Sequence, residues 1–330
     1  MTERILVRAP NWLGDAVMAG PFLKTLAAQE PAAAMDILCR SSIAEVFRGF
    51  PGVGEIVTLA AGESPWATAR RVRGRGYRTG YVLPPSFSAA LSMRLAGIPV
   101  RIGHAVDFRG FLLTQAIPLD ERFHYTRRYL DLLREAGRDI NPGDFHFPRA
   151  NAAEVAQVLS ENGVNPTRLL AVAPGSRATA RRWFPERFAE VINGLDARWT
   201  GAVLLGSPED KPQADRVAAL VRKTAIVNLC GKTSLALAAG ILERCAALLT
   251  NESGLMHVGW AVGTPLVVAA GPSDPQATSP FGPRVQILQH REVPCVPCIR
   301  NDCYRAGSSN QECLKRITPI EVLDALREIP

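Results

Sequence analysis

Short apolar runs alternate with amphipathic stretches along the whole chain. Ile5-Leu6-Val7 is the first run. A 3.6-residue pattern over 15–28 follows it and predicts a helix. The same reading predicts strands at 35–39, 55–59, 81–83 and 100–103, with helices at 42–47, 67–73 and 89–95 between them. A further helix at 125–136 ends at Gly137, and the Pro- and Asn-containing stretch Asn141-Pro142-Gly143-Asp144 reads as a linker. The alternation then restarts. Strands are predicted at 169–173, 202–205, 226–229, 247–249 and 266–269, and helices at 185–195, 211–221, 235–245, 254–262 and 320–327. Apolar strands joined by helices imply an α/β fold with parallel sheets. The pattern predicts two doubly wound halves of roughly 150 residues each, facing across a cleft where a ligand would bind.

Composition narrows the class. The 330 residues are 47% hydrophobic and 21% charged, which excludes a disordered chain and a disulfide-stapled miniprotein. Met1-Thr-Glu-Arg leads directly into the first strand and is too charged for a secretory h-region. The apolar stretch 258–270 is interrupted by Gly259, Gly263 and Pro265, too early for a membrane span. A cytoplasmic protein is therefore expected. Lys plus Arg is 38 and Asp plus Glu is 31, giving +7. That excess fits an anionic substrate, an anionic membrane or nucleic acid. No basic–aromatic pattern supports nucleic acid.

Three turns at strand ends carry chemistry. In Asn11-Trp12-Leu13-Gly14-Asp15, Asp15 fits either a helix cap or a general base facing a cleft. In Pro174-Gly175-Ser176-Arg177, with Arg181 and Arg182 beyond, small residues expose N–H groups beside cations. That suits an anion, and equally a solvated loop. In Asn251-Glu252-Ser253-Gly254-Leu255-Met256-His257, a buried strand ends where a helix opens, the arrangement of a pyrophosphate site. His257 fits a phosphate donor or a core residue. The chain has no G-x-G-x-x-G after either first strand, no P-loop and no G-x-S-x-G elbow.

Together, Arg8-Ala9-Pro10-Asn11-Trp12-Leu13-Gly14-Asp15, Leu83-Pro84-Pro85-Ser86, Pro174-Gly175-Ser176, Thr250-Asn251-Glu252-Ser253-Gly254-Leu255-Met256-His257 and Gly271-Pro272-Ser273-Asp274-Pro275 resemble the ADP-heptose:lipopolysaccharide heptosyltransferases. The motifs are most similar to the heptosyltransferase II branch, and the resemblance spans essentially the whole chain. It implies a GT-B fold: a Rossmann-like acceptor domain at 1–160 and a Rossmann-like ADP-heptose domain at 161–330. It implies inverting transfer of heptose to the first heptose of the inner core, on a lipid A–Kdo–heptose acceptor. No cofactor or catalytic metal would be needed. Asp15 would be the catalytic base. Gly175, Ser176, Arg181, Asp210, Thr233, Glu252, Ser253, Gly254 and His257 would bind the donor, and Asn11, Gly14, Ser86 and Arg101 would lie on the acceptor side. Glu252 stands where the family usually has Asp. Rival readings are heptosyltransferases I and III, with other acceptors, and a nucleotide-sugar epimerase.

Two features fall outside these turns. Arg70, Arg71, Arg73, Arg75 and Arg78 read as a solvated face or as attraction to anionic sugars and lipids, consistent with peripheral contact at the inner membrane surface. Cys295, Cys298, Cys303 and Cys313 are spaced to hold a structural zinc, to remain four thiols or to oxidise to disulfides.

Overall fold

The first apolar run becomes β1 (Arg4–Arg8), whose Ile5, Leu6 and Val7 are buried on both faces, as a strand sandwiched by helices must be. It sits within a parallel sheet with β2 (Ala34–Arg40), β3 (Val53–Leu59), β4 (Tyr77–Val82), β5 (Val100–His104) and β6 (Gln115–Ile117). The order is β3-β2-β1-β4-β5-β6. A second parallel sheet holds β7 (Leu169–Ala173), β8 (Gly201–Leu204), β9 (Ile226–Asn228), β10 (Ala247–Asn251), β11 (Leu266–Ala269) and β12 (Val285–Leu288). Its order is β12-β11-β10-β7-β8-β9. Counted from its own first strand, each sheet has the order 3-2-1-4-5-6 of a dinucleotide-binding fold. This computed structural model describes residues 3–164 and 167–329. The chain divides into two units, Met1–Pro148 and Arg149–Pro330, each with its own apolar core. No helix among the described residues is long and apolar enough to cross a membrane.

Several elements differ from the expected ones, each for a local reason. The helix expected over 15–28 is two helices, Leu13–Met18 and Gly20–Gln29, with Pro21 in the first turn of the second. Proline has no N–H to continue the first helix and is tolerated where a new one begins. The segment 42–47 is 3-10 helix, and the helix expected to reach 136 stops at Asp131. The edge strands β6 and β12 are additional to the expected ones. The helix Ala152–Glu161 lies within the expected boundary region. Asn151 caps it by accepting the Glu154 N–H at 2.9 Å. Ala150 donates to the Ala236 carbonyl at 2.9 Å, which ties this helix to the second unit. The division into units falls after Pro148.

Candidate active site

In the first sheet the strand order reverses between β1 and β4, where an open α/β sheet leaves a crevice. Asn11 and Asp15 follow β1, and Ser86 follows β4. All three line one cavity of about 370 Å³, together with His104, Arg109 and Tyr129. Trp12 occupies the cap position of the helix Leu13–Met18, so Asp15 is not the cap. Asp15 sits in the first turn, where the helix dipole favours a carboxylate. Its charge is felt by Tyr129, whose burial already pushes the phenol well above its ordinary range. The side chain of Asn11 is aimed by Arg8, which donates to Asn11 Oδ1 at 2.7 Å. Burial pushes the Arg8 guanidinium down to about 10, so it stays charged at neutral pH.

The cavity wall depends on a residue that local patterning does not mark. Arg109 is fully buried and donates to the carbonyls of His104 (2.9 Å), Pro84 and Ser86 (3.3 Å). It ties the turn after β4 to the end of β5. Burial lowers its pKa to about 10. Gly103 leaves it room: a Cβ there would lie 3.3 Å from the guanidinium and 3.1 Å from the Val82 carbonyl. His104 donates from Nε2 to the Arg128 carbonyl at 2.8 Å, and burial lowers its pKa. Arg101 does not line the cavity. Its guanidinium is held by the carbonyls of Leu112 (2.7 Å), Ile98 (2.5 Å) and Pro99 (3.2 Å), which makes it a brace for the start of β5.

In the second sheet the order reverses between β7 and β10. Here the expected residues come together through close backbone approach. Gly175 lies against Asp210: a Cβ at Gly175 would fall 2.1 Å from that carboxylate. Asp210 Oδ2 accepts from the Ser207 N–H (3.0 Å) and hydroxyl (2.8 Å), closing a capping box. Thr233 lies in the turn after β9, where Gly231 takes a left-handed φ of +75° and packs on Pro208. Ser176 is buried and donates to the Glu252 carbonyl at 3.0 Å, joining the turns after β7 and β10.

Asn251, quoted above without a role, is the pin of this region. It is fully buried, accepts from the Trp183 N–H at 2.9 Å and donates to the Pro174 carbonyl at 2.6 Å. Glu252 is also buried and turned inward, accepting from the Gly271 N–H at 3.1 Å. Burial raises its pKa, while Ser273, Gly271 and the charge of Arg181 pull it back. The Nε of Arg181 is buried with no hydrogen-bond partner among the described residues. Ser253 caps the helix Gly254–Ala261 by position only, with no side-chain bond to the first turn. Those first N–H groups point out of the sheet's C-terminal edge, the geometry of an anion site. Gly259 packs tightly on Leu248 and Leu266, which sets this helix close to β10 and β11. His257 is buried in the same helix, 6.5 Å from the Trp260 ring.

Of the readings open for the four clustered cysteines, the structure does not support the zinc site. Among the described residues, no group of three or more His, Cys, Asp or Glu has the geometry to hold a metal ion. Burial, with the neighbouring Cys295, Cys298 and Cys303, pushes the Cys313 thiol up to about 11 and keeps it protonated. What this segment does is brace two turns. Ala180 N–H reaches the Asn301 carbonyl (2.9 Å), Thr179 Oγ1 reaches Asp302 (2.6 Å), and Gln311 Nε2 reaches the Thr179 carbonyl (2.8 Å). Cys298 and Ile299 both donate to the Pro272 carbonyl at 2.9 Å. A cavity of about 430 Å³ lies between 182–186 and 302–311, but none of the expected donor residues lines it.

Comparison with known proteins agrees with this arrangement. Residues 66–307 match the model of glycosyltransferase family 9 (heptosyltransferase). The chain is 30% identical to lipopolysaccharide heptosyltransferase 2 of Salmonella typhimurium, over 99% of this chain and 98% of that protein. The structure of Escherichia coli ADP-heptose lps heptosyltransferase II superposes with a TM-score of 0.82 at 28% identity, covering 99% of this chain and 98% of the other. A family 9 glycosyltransferase from Veillonella parvula shares the fold, with a TM-score of 0.83 at 23% identity over 99% and 97% of the two chains.

Proposed function

The chain belongs to glycosyltransferase family 9, and on that premise we propose that it moves heptose from ADP-heptose to the first heptose of a lipopolysaccharide inner core. The observation that carries this is the match to heptosyltransferase 2 enzymes over 99% of this chain and 98% of each of theirs. Asp15, partly exposed in its cavity, takes the proton as the acceptor hydroxyl attacks the anomeric carbon. The bond from that carbon to the phosphate oxygen breaks, the configuration inverts, and ADP leaves with the electron pair. General-base help of this kind is worth about 10²–10⁴ in rate.

The leaving diphosphate gains charge, which must be met by donors already in place. The first N–H groups at Ser253 and Gly254 and the half-buried guanidinium of Arg181 are suited to that, with His257 one turn on. Gly175 lets the diphosphate approach the backbone. Asp210 keeps one oxygen for the ribose while the other closes its capping box. Thr233 meets the adenine. Asn11, Gly14 and Ser86 shape the acceptor side, and Arg101 supports it from behind. Glu252 acts mainly by holding the Gly271–Ser273 turn, because its longer side chain reaches that backbone. The reaction is tested by mass spectrometry with ADP-heptose and a lipid A–Kdo–monoheptose acceptor. One added heptose on that acceptor supports the reading. Addition only to the heptose-free acceptor would assign the chain to the first transfer instead. No product on either acceptor would overturn the proposal.

A further inference from the structure

The cavity of Asp15 has an aromatic lip that no step of the proposed transfer uses. Trp12 lines this cavity and is nevertheless 49% exposed. Its carbonyl accepts the Ala16 N–H at 2.9 Å, which fixes the backbone where the helix Leu13–Met18 begins. Trp12 holds the cap position of that helix and Asp15 lies in its first turn. A cap residue and the residue three further on are neighbours in space, so the indole and the carboxylate belong to one wall. Burying an aromatic ring is favourable, yet this fold leaves the Trp12 ring half in water at the mouth of its own cavity.

A cation accompanies the ring. Arg40, the last residue of β2, places its guanidinium 5.6 Å from the indole centroid. β2 runs parallel to β1, so Arg40 leaves the sheet at the same edge as Asn11 and Asp15. Stacking uses only the flat face of a guanidinium and leaves its N–H edges available to an anion. Among the described residues, the Arg40 side chain makes no ion pair and no hydrogen bond. The other guanidiniums at this cavity are already taken. Arg128 lies 4.4 Å over the Tyr125 ring, but it donates to the carbonyls of Phe123 (2.7 Å) and Glu121 (2.5 Å). Arg109 is held by carbonyls, and Arg8 by the Ala9 carbonyl (2.5 Å) and Asn11. Arg8 is also near enough to feel Arg40: its pKa is lowered by burial first and then by that charge.

We propose that Trp12 and Arg40 form the subsite that selects the acceptor. The indole, covered on one face by Arg40, stacks its other face on the sugar that presents the attacking hydroxyl. Arg40 forks onto an anionic group, a carboxylate or a phosphate, carried beside that sugar. An aromatic face suits a sugar ring, whose C–H groups form an apolar patch while its hydroxyls point away. A guanidinium suits either anion because its paired N–H groups match two oxygens at once. Both residues bind and orient, and the proton still goes to Asp15. This deepens the proposed function and rests on it, since the cavity must hold an acceptor sugar.

The test is calorimetric binding of a deacylated, water-soluble Kdo–heptose acceptor, with its phosphates retained, to the full chain saturated with ADP. The wild type should bind. Trp12→Ala should weaken binding about tenfold, and Trp12→Phe should recover most of the loss. Arg40→Gln should weaken it about fivefold. Melting temperatures should hold, because the ring is half exposed and Arg40 has no other side-chain partner. In turnover, acceptor KM should rise in both variants while donor KM and kcat stay put. Two altered acceptors, a carboxylate methyl ester and a dephosphorylated form, locate the anion. The alteration that weakens wild-type binding but leaves Arg40→Gln unaffected names the group. Absence of wild-type binding, or wild-type affinity in Trp12→Ala, would overturn the inference. So would a loss in Arg40→Gln that is the same on both altered acceptors as on the intact one. Normal binding by the wild type without heptose transfer would instead sink the proposed function and leave the subsite standing.

Discussion

The two sheets share one strand order but arm the same edge differently. At the reversal point of the first, chemistry rests on side chains: one carboxylate at Asp15, in a cavity whose walls are held by the buried guanidiniums of Arg8 and Arg109. At the reversal point of the second, the polar side chains are spent mostly on neighbouring backbone groups. Asn251 pins Pro174 and Trp183, Ser176 holds Glu252, and Asp210 caps Ser207. What remains for a ligand there is chiefly backbone N–H and the guanidinium of Arg181. Under the proposed function, one edge would move a proton and the other would receive a diphosphate. A proton acceptor needs one group at one place, so most of its surroundings can be scaffolding. A developing anion needs several donors fixed in advance, so the loops that present them must be cross-linked.

Substitutions that separate the two edges should have very different signatures. The largest effect is expected from Asp15→Asn, which keeps the shape but removes the base. Turnover should fall by about 10³, with ADP-heptose affinity unchanged in calorimetry. Next is Asn251→Ala on the other edge. It strands the Trp183 N–H and the Pro174 carbonyl, so about 1–3 kcal/mol of stability should be lost. Donor KM should rise about tenfold while acceptor KM stays put. A smaller effect is expected from Gln311→Ala, which removes one strut to the Thr179 carbonyl. Donor KM should rise a few-fold with kcat retained, as one hydrogen bond is worth roughly 1 kcal/mol. Equal changes in donor and acceptor KM would mean that this segment serves the whole unit and not the donor turns.

The smallest effect is a pH dependence at Glu252. Burial raises its folded-state pKa above the unfolded value. Its contribution to stability is therefore full below the ordinary glutamate pKa and is lost as pH rises through the folded value. The melting temperature of Glu252→Gln, relative to wild type, should increase as pH is raised from about 4 to about 8. A difference that stays flat across that range would show that Gly271, Ser273 and Arg181 fully offset the burial.

The two edges were also unequally legible in the chain. Asp15 and the 251–257 turn stand out because their residues are adjacent and follow apolar runs. Both sheets follow from the alternation, save for edge strands β6 and β12. Arg109 and Asn251 were not legible in role. Their partners are carbonyls and N–H groups far along the chain, and nothing local distinguishes a buried Arg from a solvated one. Arg101 was expected on the acceptor side from the resemblance, and the fold gives its guanidinium to three nearby carbonyls. For the cysteines, spacing alone left zinc and free thiols open, because it cannot say whether four thiols converge on one point.

The division of labour is tested most directly by single-turnover transfer with Asp15→Asn, measured beside ADP-heptose binding to the same preparation. The account predicts normal donor binding and a heptose-transfer rate lower by about three orders of magnitude. A transfer rate within a few-fold of wild type would contradict it and would move the base to another residue of the cavity.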